Sequence, residues 1–215
     1  MRRIRIPDAT IRRLPIYLRV LRELEDDDVA VISSADLAVR TGFSSEQIRK
    51  DLAYFGAFGV RGVGYSVSQL EDQLRRILGL DKEVRAALVG AGNLGTALTR
   101  YNVNRHKDVK IVAIFDNDPA KVGKTIEGVR VYPVEDIADI IRENEIKMGI
   151  ITTPASSAEK VAELLVRAGI RAILNFAPVK LGSTDAVAVR NIDLTLEFES
   201  LAYYAAGEEK RPETS

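Results

Sequence analysis

The sequence predicts an α/β chain in two parts: a mainly helical N-terminal part closed by a small β-hairpin, and a doubly wound C-terminal part. Three observations carry this. Residues 1–80 place apolar residues at helical spacing behind serine-led caps. Residues 84–193 alternate short apolar strands with amphipathic helices. A Gly-X-Gly-X-X-Gly step joins the first of those strands to its helix. The boundary falls at Gly79-Leu80-Asp81-Lys82, a glycine followed by a short polar step.

Ile11, Leu14, Leu18, Leu21 and Leu24 recur every three or four residues and form the apolar stripe of a first helix. Pro15 inside it either kinks the helix or marks the first turn of one that starts late. Glu25-Asp26-Asp27-Asp28 ends it in a solvated loop. Ser33 and Asp36 have capping spacing for a second helix that stops near Gly42, and Ser44 and Gln47 cap a third. Two short helices joined by a glycine-containing turn are the helix-turn-helix pattern. On the third helix Ile48, Leu52 and Phe55 share one face; Glu46, Lys50 and Ala53 lie opposite, with Gln47 and Arg49 on the flanks. Gly59 to Val67 alternates Val and Tyr around a central Arg61-Gly62 and reads as a hairpin, or wing. A fourth helix opens on the capping pair Ser68 and Glu71 and ends by Gly79. Together these make a winged helix-turn-helix over residues 1–80.

The second part, residues 81–194, starts with a strand at Val84–Val89, then Gly90-Ala91-Gly92-Asn93-Leu94-Gly95 and a helix to about Asn104. Strands follow at Val109–Phe115, Val129–Tyr132, Met148–Thr152, Ala172–Phe176 and Val187–Ile192, with helices at Val134–Glu143 and Ser156–Ala168. This alternation implies a parallel sheet covered on both faces, a Rossmann-type dinucleotide-binding domain. An apolar helix spans residues 195–206, and 207–215 form a polar tail.

Composition removes several chemistries. Of 215 residues none is Cys and one, His106, is His, so disulfides, thiolate nucleophiles, Cys-based zinc sites and multi-His metal sites are out; no metal is expected. Lys+Arg and Asp+Glu both number 31, which argues against coating nucleic acid by bulk attraction. The charge is unevenly placed, however: residues 1–22 hold seven Arg against one acid. No apolar run approaches the ~20 residues of a membrane span, and the basic start lacks an apolar stretch behind it. The expected setting is cytoplasmic, with no membrane partner.

The glycine step has the full context of a dinucleotide site. Gly90 allows the tight turn, Gly92 lets a pyrophosphate approach the backbone, and Gly95 lets helix pack on sheet. Ala91, Asn93 and Leu94 complete the loop, whose helix N-terminus offers free N–H groups. Asp116 ends the next strand, 21 residues past Gly95, where a carboxylate bonds ribose hydroxyls and repels a 2′-phosphate. NAD(H) is therefore the expected cofactor. Thr153 and Pro154, and Asn175, Phe176 and Ala177, follow later strands at the ligand-facing edge and are candidate neighbours of the nicotinamide.

A dehydrogenase needs acid–base groups and usually a substrate domain. The two parts leave no room for one, and His106 lies in the polar stretch Asn104–Asp108. The nucleotide is expected to be read, not turned over. Arg49 and Lys50 are placed to reach guanine edges or phosphates in a major groove, and Arg61 with Gly62 a minor groove. Ser44 and Gln47 open the same helix, and Arg2, Arg3, Arg5, Arg12 and Arg13 add possible phosphate contacts. Two alternatives stay open: a small NAD-dependent oxidoreductase with an accessory DNA-binding domain, and a CoA- or nucleotide-binding module.

The segment QIRKDLAYFGAFGVRGVGY at 47–65 closely resembles the Rex family of bacterial redox-sensing transcriptional repressors. The similarity extends through IRRLPIYLRVL, VGAGNLG at 89–95, FDNDPAKVG at 115–123, NFAP at 175–178 and NIDLTLEFESLAYY. It implies a homodimer that binds an inverted-repeat operator and releases it when NADH replaces NAD. It also implies that the last helix is domain-swapped onto the partner subunit. Arg19, Tyr101 and Asp193 match positions that couple cofactor state to domain arrangement in the family, as a switching bond or a fixed ion pair. Some members carry Phe after that Asp; this sequence has Leu194.

Overall fold

The computed structural model describes residues 6–56, 58–60, 62–105 and 108–206. It divides into two compact units, Met1–Lys82 and Glu83–Ser215. Among the described residues no helix is long and apolar enough to cross a membrane.

In the first unit, α1 (Asp8–Asp26) buries Leu14, Tyr17, Leu18, Leu21 and Leu24. Pro15 sits within α1 at an exposed position, so the helix starts before it and the late start is not what happens. The loss is one backbone hydrogen bond on the solvent side. Strand β1 (Val31–Ile32) precedes α2 (Ser34–Thr41), where Ser33 accepts from the Asp36 N–H and Gly42 closes the helix in the left-handed conformation. Helix α3 (Ser45–Ala53) is capped by Ser44. The hairpin β2 (Gly59–Val60) and β3 (Gly64–Ser66) is antiparallel, and β1 adds to β3 as a third strand, an addition the sequence pattern does not announce because β1 has only two residues. Gly64 must be glycine here: its φ is +111° and a Cβ would stand 2.5 Å from the Ile32 carbonyl oxygen. Helix α4 (Val67–Ile77) starts before the expected Ser68, with no side-chain cap. Val67 is buried and its N–H donates to the Ala30 carbonyl, while Glu71 pairs with Arg22 at 3.5 Å instead of capping.

In the second unit, β4 (Val84–Val89) leads into α5 (Asn93–Arg105), β5 (Val109–Asp116), β6 (Thr125–Ile126) and β7 (Val129–Pro133). Then come α6 (Ile137–Glu143), β8 (Met148–Ile151), α7 (Ala155–Arg167), β9 (Ala172–Asn175), β10 (Ala188–Asn191) and α8 (Leu194–Ala205). The sheet order is β10-β9-β8-β4-β5-β7-β6, parallel except for β6 against β7. The β6–β7 hairpin was not foreseen. Its turn is Glu127-Gly128, both with positive φ, the two-residue geometry that follows strand twist. Apolar clusters fill both faces of the sheet, one around Val89, Phe115, Ile151 and Leu165, the other around Leu88, Ile114 and Ile150.

The chain leaves β4 toward β5 on one side and later returns to β8 on the other. Strand order reverses there, so the carboxyl end of β4 lies at the switch point where open α/β sheets bind ligands. Helix α8 starts at Leu194, one residue before the expected 195, and within the single chain it buries nothing: Leu196, Phe198, Leu201 and Tyr204 are all more than half exposed.

Candidate functional site

The glycine loop sits at that switch point. Gly90, φ +107°, lies against Thr152, whose hydroxyl donates to the Gly90 carbonyl at 2.7 Å. Gly95 packs so closely that a Cβ would stand 2.0 Å from the Gly90 carbonyl oxygen. Gly92 differs: a Cβ there would meet nothing within 4 Å, so its bareness serves no protein contact. Gly92, Asn93 and Leu94 are exposed, and the first-turn N–H groups of α5 have no intrahelical acceptors. These features fit a pyrophosphate drawn close to backbone amides.

Asp116 is buried and works on the loop itself. Its carboxylate accepts from the Ala91 N–H at 2.7 Å, from the Asp118 N–H at 2.9 Å and from Lys121 Nζ at 3.2 Å. Burial alone would push this carboxyl up; the two backbone N–H groups and Lys121 outweigh it and hold the group below its usual range. The Ala91 N–H is thus spent on Asp116 and not offered to a ligand. A carboxylate has about four acceptor positions, so three bonds leave room for a ribose hydroxyl.

At the edge of β8, the Thr153 hydroxyl is buried without a partner among the described residues. Its donor and acceptor are left available at the edge where open α/β sheets bind ligands. Pro154 beside it is exposed. Asn175 behaves otherwise: it is fully buried, and its amide donates to the Val179 carbonyl at 2.7 Å and to Asn191 Oδ1 at 2.9 Å while accepting from the Ala177 N–H at 3.0 Å. Asn191 in turn clamps Leu181 through both backbone groups. Asn175 is therefore a brace for the loop that carries Phe176 and Ala177. Sequence reasoning missed Asn191, whose only advance signal is an asparagine ending the neighbouring strand.

In the first unit, the Ser44 hydroxyl accepts from the Gln47 N–H at 3.1 Å and orders the start of α3. Arg49 donates to Ser34 Oγ at 2.8 Å, tying α3 to α2. Lys50 is exposed. Gly62, φ +82°, turns the hairpin with open space around it. A groove of about 560 Å³ lies between α3 and the hairpin, lined by Ser34, Arg49, Ala53, Val60, Gly62 and Tyr65 among others. Arg61, with Arg2, Arg3, Arg5 and His106, lies outside the described residues.

One group was not foreseen. Asp51, fully buried on α3, accepts from Thr10 Oγ1 at 3.0 Å, Arg13 Nε at 2.6 Å and Nη2 at 2.8 Å, Tyr17 Oη at 2.7 Å and Gln47 Nε2 at 2.9 Å. Burial pushes the carboxyl up, but these hydrogen bonds prevail and hold it at about 2. Burial, aided by the bond to Asp51, pushes the Tyr17 phenol up. Arg13 also lies over the Phe43 ring at 5.8 Å. Its guanidinium is thus committed inward and leaves the expected set of phosphate contacts, while Arg12 pairs with Asp8 at 2.9 Å. The signal was legible: Asp51 falls three residues after Ile48 on the apolar face, and Thr10, Arg13 and Tyr17 share one face of α1.

Of the coupling candidates, Arg19 is on an exposed position of α1 in the first unit. Tyr101 is on α5 and Asp193 at the start of α8, in the second. Asp193 accepts from the Thr195 N–H at 3.0 Å and so caps its own helix.

Residues 5–53 match the family model "Putative DNA-binding protein N-terminus", and residues 81–179 match the CoA binding domain model. A redox-sensing transcriptional repressor Rex of Natranaerobius thermophilus is 49% identical over 202 residues, covering 94% of this chain and 92% of its own. The protein of the same name from Syntrophobacter fumaroxidans is 51% identical, covering 95% and 98%. Among solved structures, RSP in complex with β-NAD⁺ and operator DNA superposes with a TM-score of 0.87 at 41% identity, over 96% of this chain and 95% of that one. RSP in complex with β-NADH gives 0.82 at 40%, over 96% and 97%.

Proposed function

The chain belongs to the Rex family of redox-sensing transcriptional repressors, and from that membership we propose that it binds inverted-repeat operator DNA as a homodimer and releases it when NADH replaces NAD. The observation that carries this is the pairing, in one chain, of a winged helix whose α3 presents Lys50 with a Rossmann unit whose Gly92 is bare toward open space. RSP, 40–41% identical over nearly its whole length, has been crystallised with both redox forms of the cofactor and with operator DNA.

The residues assigned to NAD(H) are Gly90 to Gly95 for the pyrophosphate, Asp116 for the adenosine ribose, and Thr153, Pro154, Phe176 and Ala177 for the nicotinamide end. Asn175 acts there indirectly, by bracing the loop. DNA is assigned to Ser44, Gln47, Arg49, Lys50, Arg61 and Gly62, and the coupling of the two to Arg19, Tyr101 and Asp193. The relatives are named repressors; the cofactor is a signal here and not a co-substrate. The protein works in the cytoplasm, where operator DNA and the NADH pool meet.

An electrophoretic mobility shift on an inverted-repeat operator tests the reading. Retention with NAD⁺ and release on adding NADH is the expected result; equal operator affinity in both cofactors overturns it. Because residues 81–179 match a CoA binding model, the same titration with CoA decides between ligands, and NADH must be the one that acts.

A further inference from the structure

A ribose that meets Asp116 brings two neighbouring hydroxyls, and the carboxylate has room for one. An ionised carboxylate offers about four acceptor positions, two on each oxygen. Oδ2 is used twice, by the Ala91 N–H at 2.7 Å and by Lys121 Nζ at 3.2 Å. Oδ1 is used once among the described residues, by the Asp118 N–H at 2.9 Å. A single position is left, on Oδ1. The carboxylate cannot turn to free another, because a backbone N–H of the glycine loop holds one oxygen and a backbone N–H past β5 holds the other. The second hydroxyl needs a different partner.

Lys121 stands beside that opening. Its backbone is fixed, since the Lys121 N–H donates to the Asp118 carbonyl at 2.9 Å and the Ala120 N–H to Asp118 Oδ1 at 2.9 Å. Its ammonium has three hydrogens. One is spent on Asp116, while Asp118 Oδ2, at 3.9 Å, is too far for a hydrogen bond. Two hydrogens therefore stay unused among the described residues, on a side chain that is 39% exposed next to a buried carboxylate.

We propose that Lys121 is a specificity-determining residue of the cofactor site: it donates to the second ribose hydroxyl while the first hydroxyl donates to Asp116 Oδ1. This rests on the reading of the glycine turn as the NAD(H) site. An ammonium only donates and a carboxylate only accepts, so the pair fits two hydroxyls, each of which can do either. The same pair sets how firmly a 2′-phosphate is refused. Asp116 repels it and Lys121 draws it, so the refusal is weaker than the carboxylate alone would give.

The test is a set of fluorescence titrations of the full-length protein and of Lys121→Met. The ligands are NADH, NADH lacking the 2′- or the 3′-hydroxyl of its adenosine ribose, and NADPH. Lys121→Met keeps an apolar stem of similar length, and thermal unfolding without cofactor checks that it keeps the fold. The parent should bind each deoxy analogue about tenfold more weakly than NADH. Lys121→Met should bind NADH about tenfold more weakly than the parent. In that variant one deoxy analogue should bind as well as NADH, and the other should keep its penalty. NADPH should lose more than NADH does. The inference falls if Lys121→Met binds NADH as the parent does, or if NADPH gains on NADH. It falls also if both analogues keep their penalties, or if both lose them, which would mean that Lys121 only holds Asp116 in place. If the parent binds NADH and penalises neither analogue, the ribose assignment of Asp116 falls first; if the parent does not bind NADH, the reading of the glycine turn falls.

Discussion

At the scale of single residues, charge placement decides who can act. Lys50 is exposed on α3, so Lys50→Ala should weaken operator binding and leave NADH binding unchanged. Roughly a tenfold loss at physiological salt is expected, with the salt dependence falling by about one counterion; mobility shifts at several salt concentrations check this. Loss of both activities would separate the two assignments from their units. Asp51 makes the opposite kind of prediction. Its folded pKa of about 2 lies below an ordinary carboxyl value near 4. A depressed pKa means the unfolded chain takes up the proton first on acidification, so the stabilisation is complete above about pH 4 and is lost as pH falls toward 2. Its size is about 2 kcal/mol. Denaturant titrations of the parent and Asp51→Asn between pH 6 and 3 should converge on the acid side by about half that amount, roughly 1 kcal/mol, beyond the constant penalty of leaving Arg13 without its ion pair.

At the scale of elements, the β4–α5 turn separates glycines that serve the fold from one that serves a ligand. A Cβ at Gly95 collides with backbone, whereas one at Gly92 meets only open space. Gly95→Ala should cost about 2 kcal/mol or more in thermal or denaturant unfolding. Gly92→Ala should leave the unfolding curve of the cofactor-free protein unchanged and weaken NADH at least tenfold in a fluorescence titration, because the methyl occupies the room a phosphate needs. Unchanged NADH affinity would move the pyrophosphate elsewhere. Asp116→Ala should loosen NADH more than NADPH, since the carboxylate both bonds ribose hydroxyls and disfavours a 2′-phosphate. It will also release the Ala91 N–H it now holds, so the loss in NADH affinity should exceed that of one ribose hydrogen bond.

At the scale of the whole molecule, α8 has the composition of a core helix and none of its burial. Leu196, Phe198, Leu201 and Tyr204 are exposed in the single chain, and apolar area of this kind is stable in water only when covered. Removing residues 194–206 should leave a monomer in sedimentation measurements. Operator affinity should fall steeply with it, because one winged helix reads one half-site. The charge balance points the same way. Residues 1–80 hold 13 basic residues against 11 acidic ones, and Arg13 is further withdrawn by Asp51. Binding to wrong sequences should therefore be weak, as a repressor that must let go requires. With no cysteine in the chain, redox state reaches it through the bound nicotinamide and not through a thiol.

The sequence by itself determined the order of the helices and the longer strands, though not β1 or β6, and it determined the helix caps at Ser33 and Ser44, the winged hairpin and the glycine turn. Each is a local event, decided within a few residues by periodicity, capping or φ. The family resemblance was legible for the same reason, in contiguous segments. Only the tertiary structure decided what the polar side chains do. Asp51 gains its role only because α1 brings Thr10, Arg13 and Tyr17 to it. Asn175 looked like a ligand neighbour until β10 set Asn191 beside it. Asp116 was assigned to a ribose before its bond to Ala91 tied it to the loop as well. These partners stand 16 to 41 residues apart, and a hydrogen bond depends on position in space within a few tenths of an ångström. Spacing along a chain carries that information only inside one helix or one turn, which is as far as the sequence could see.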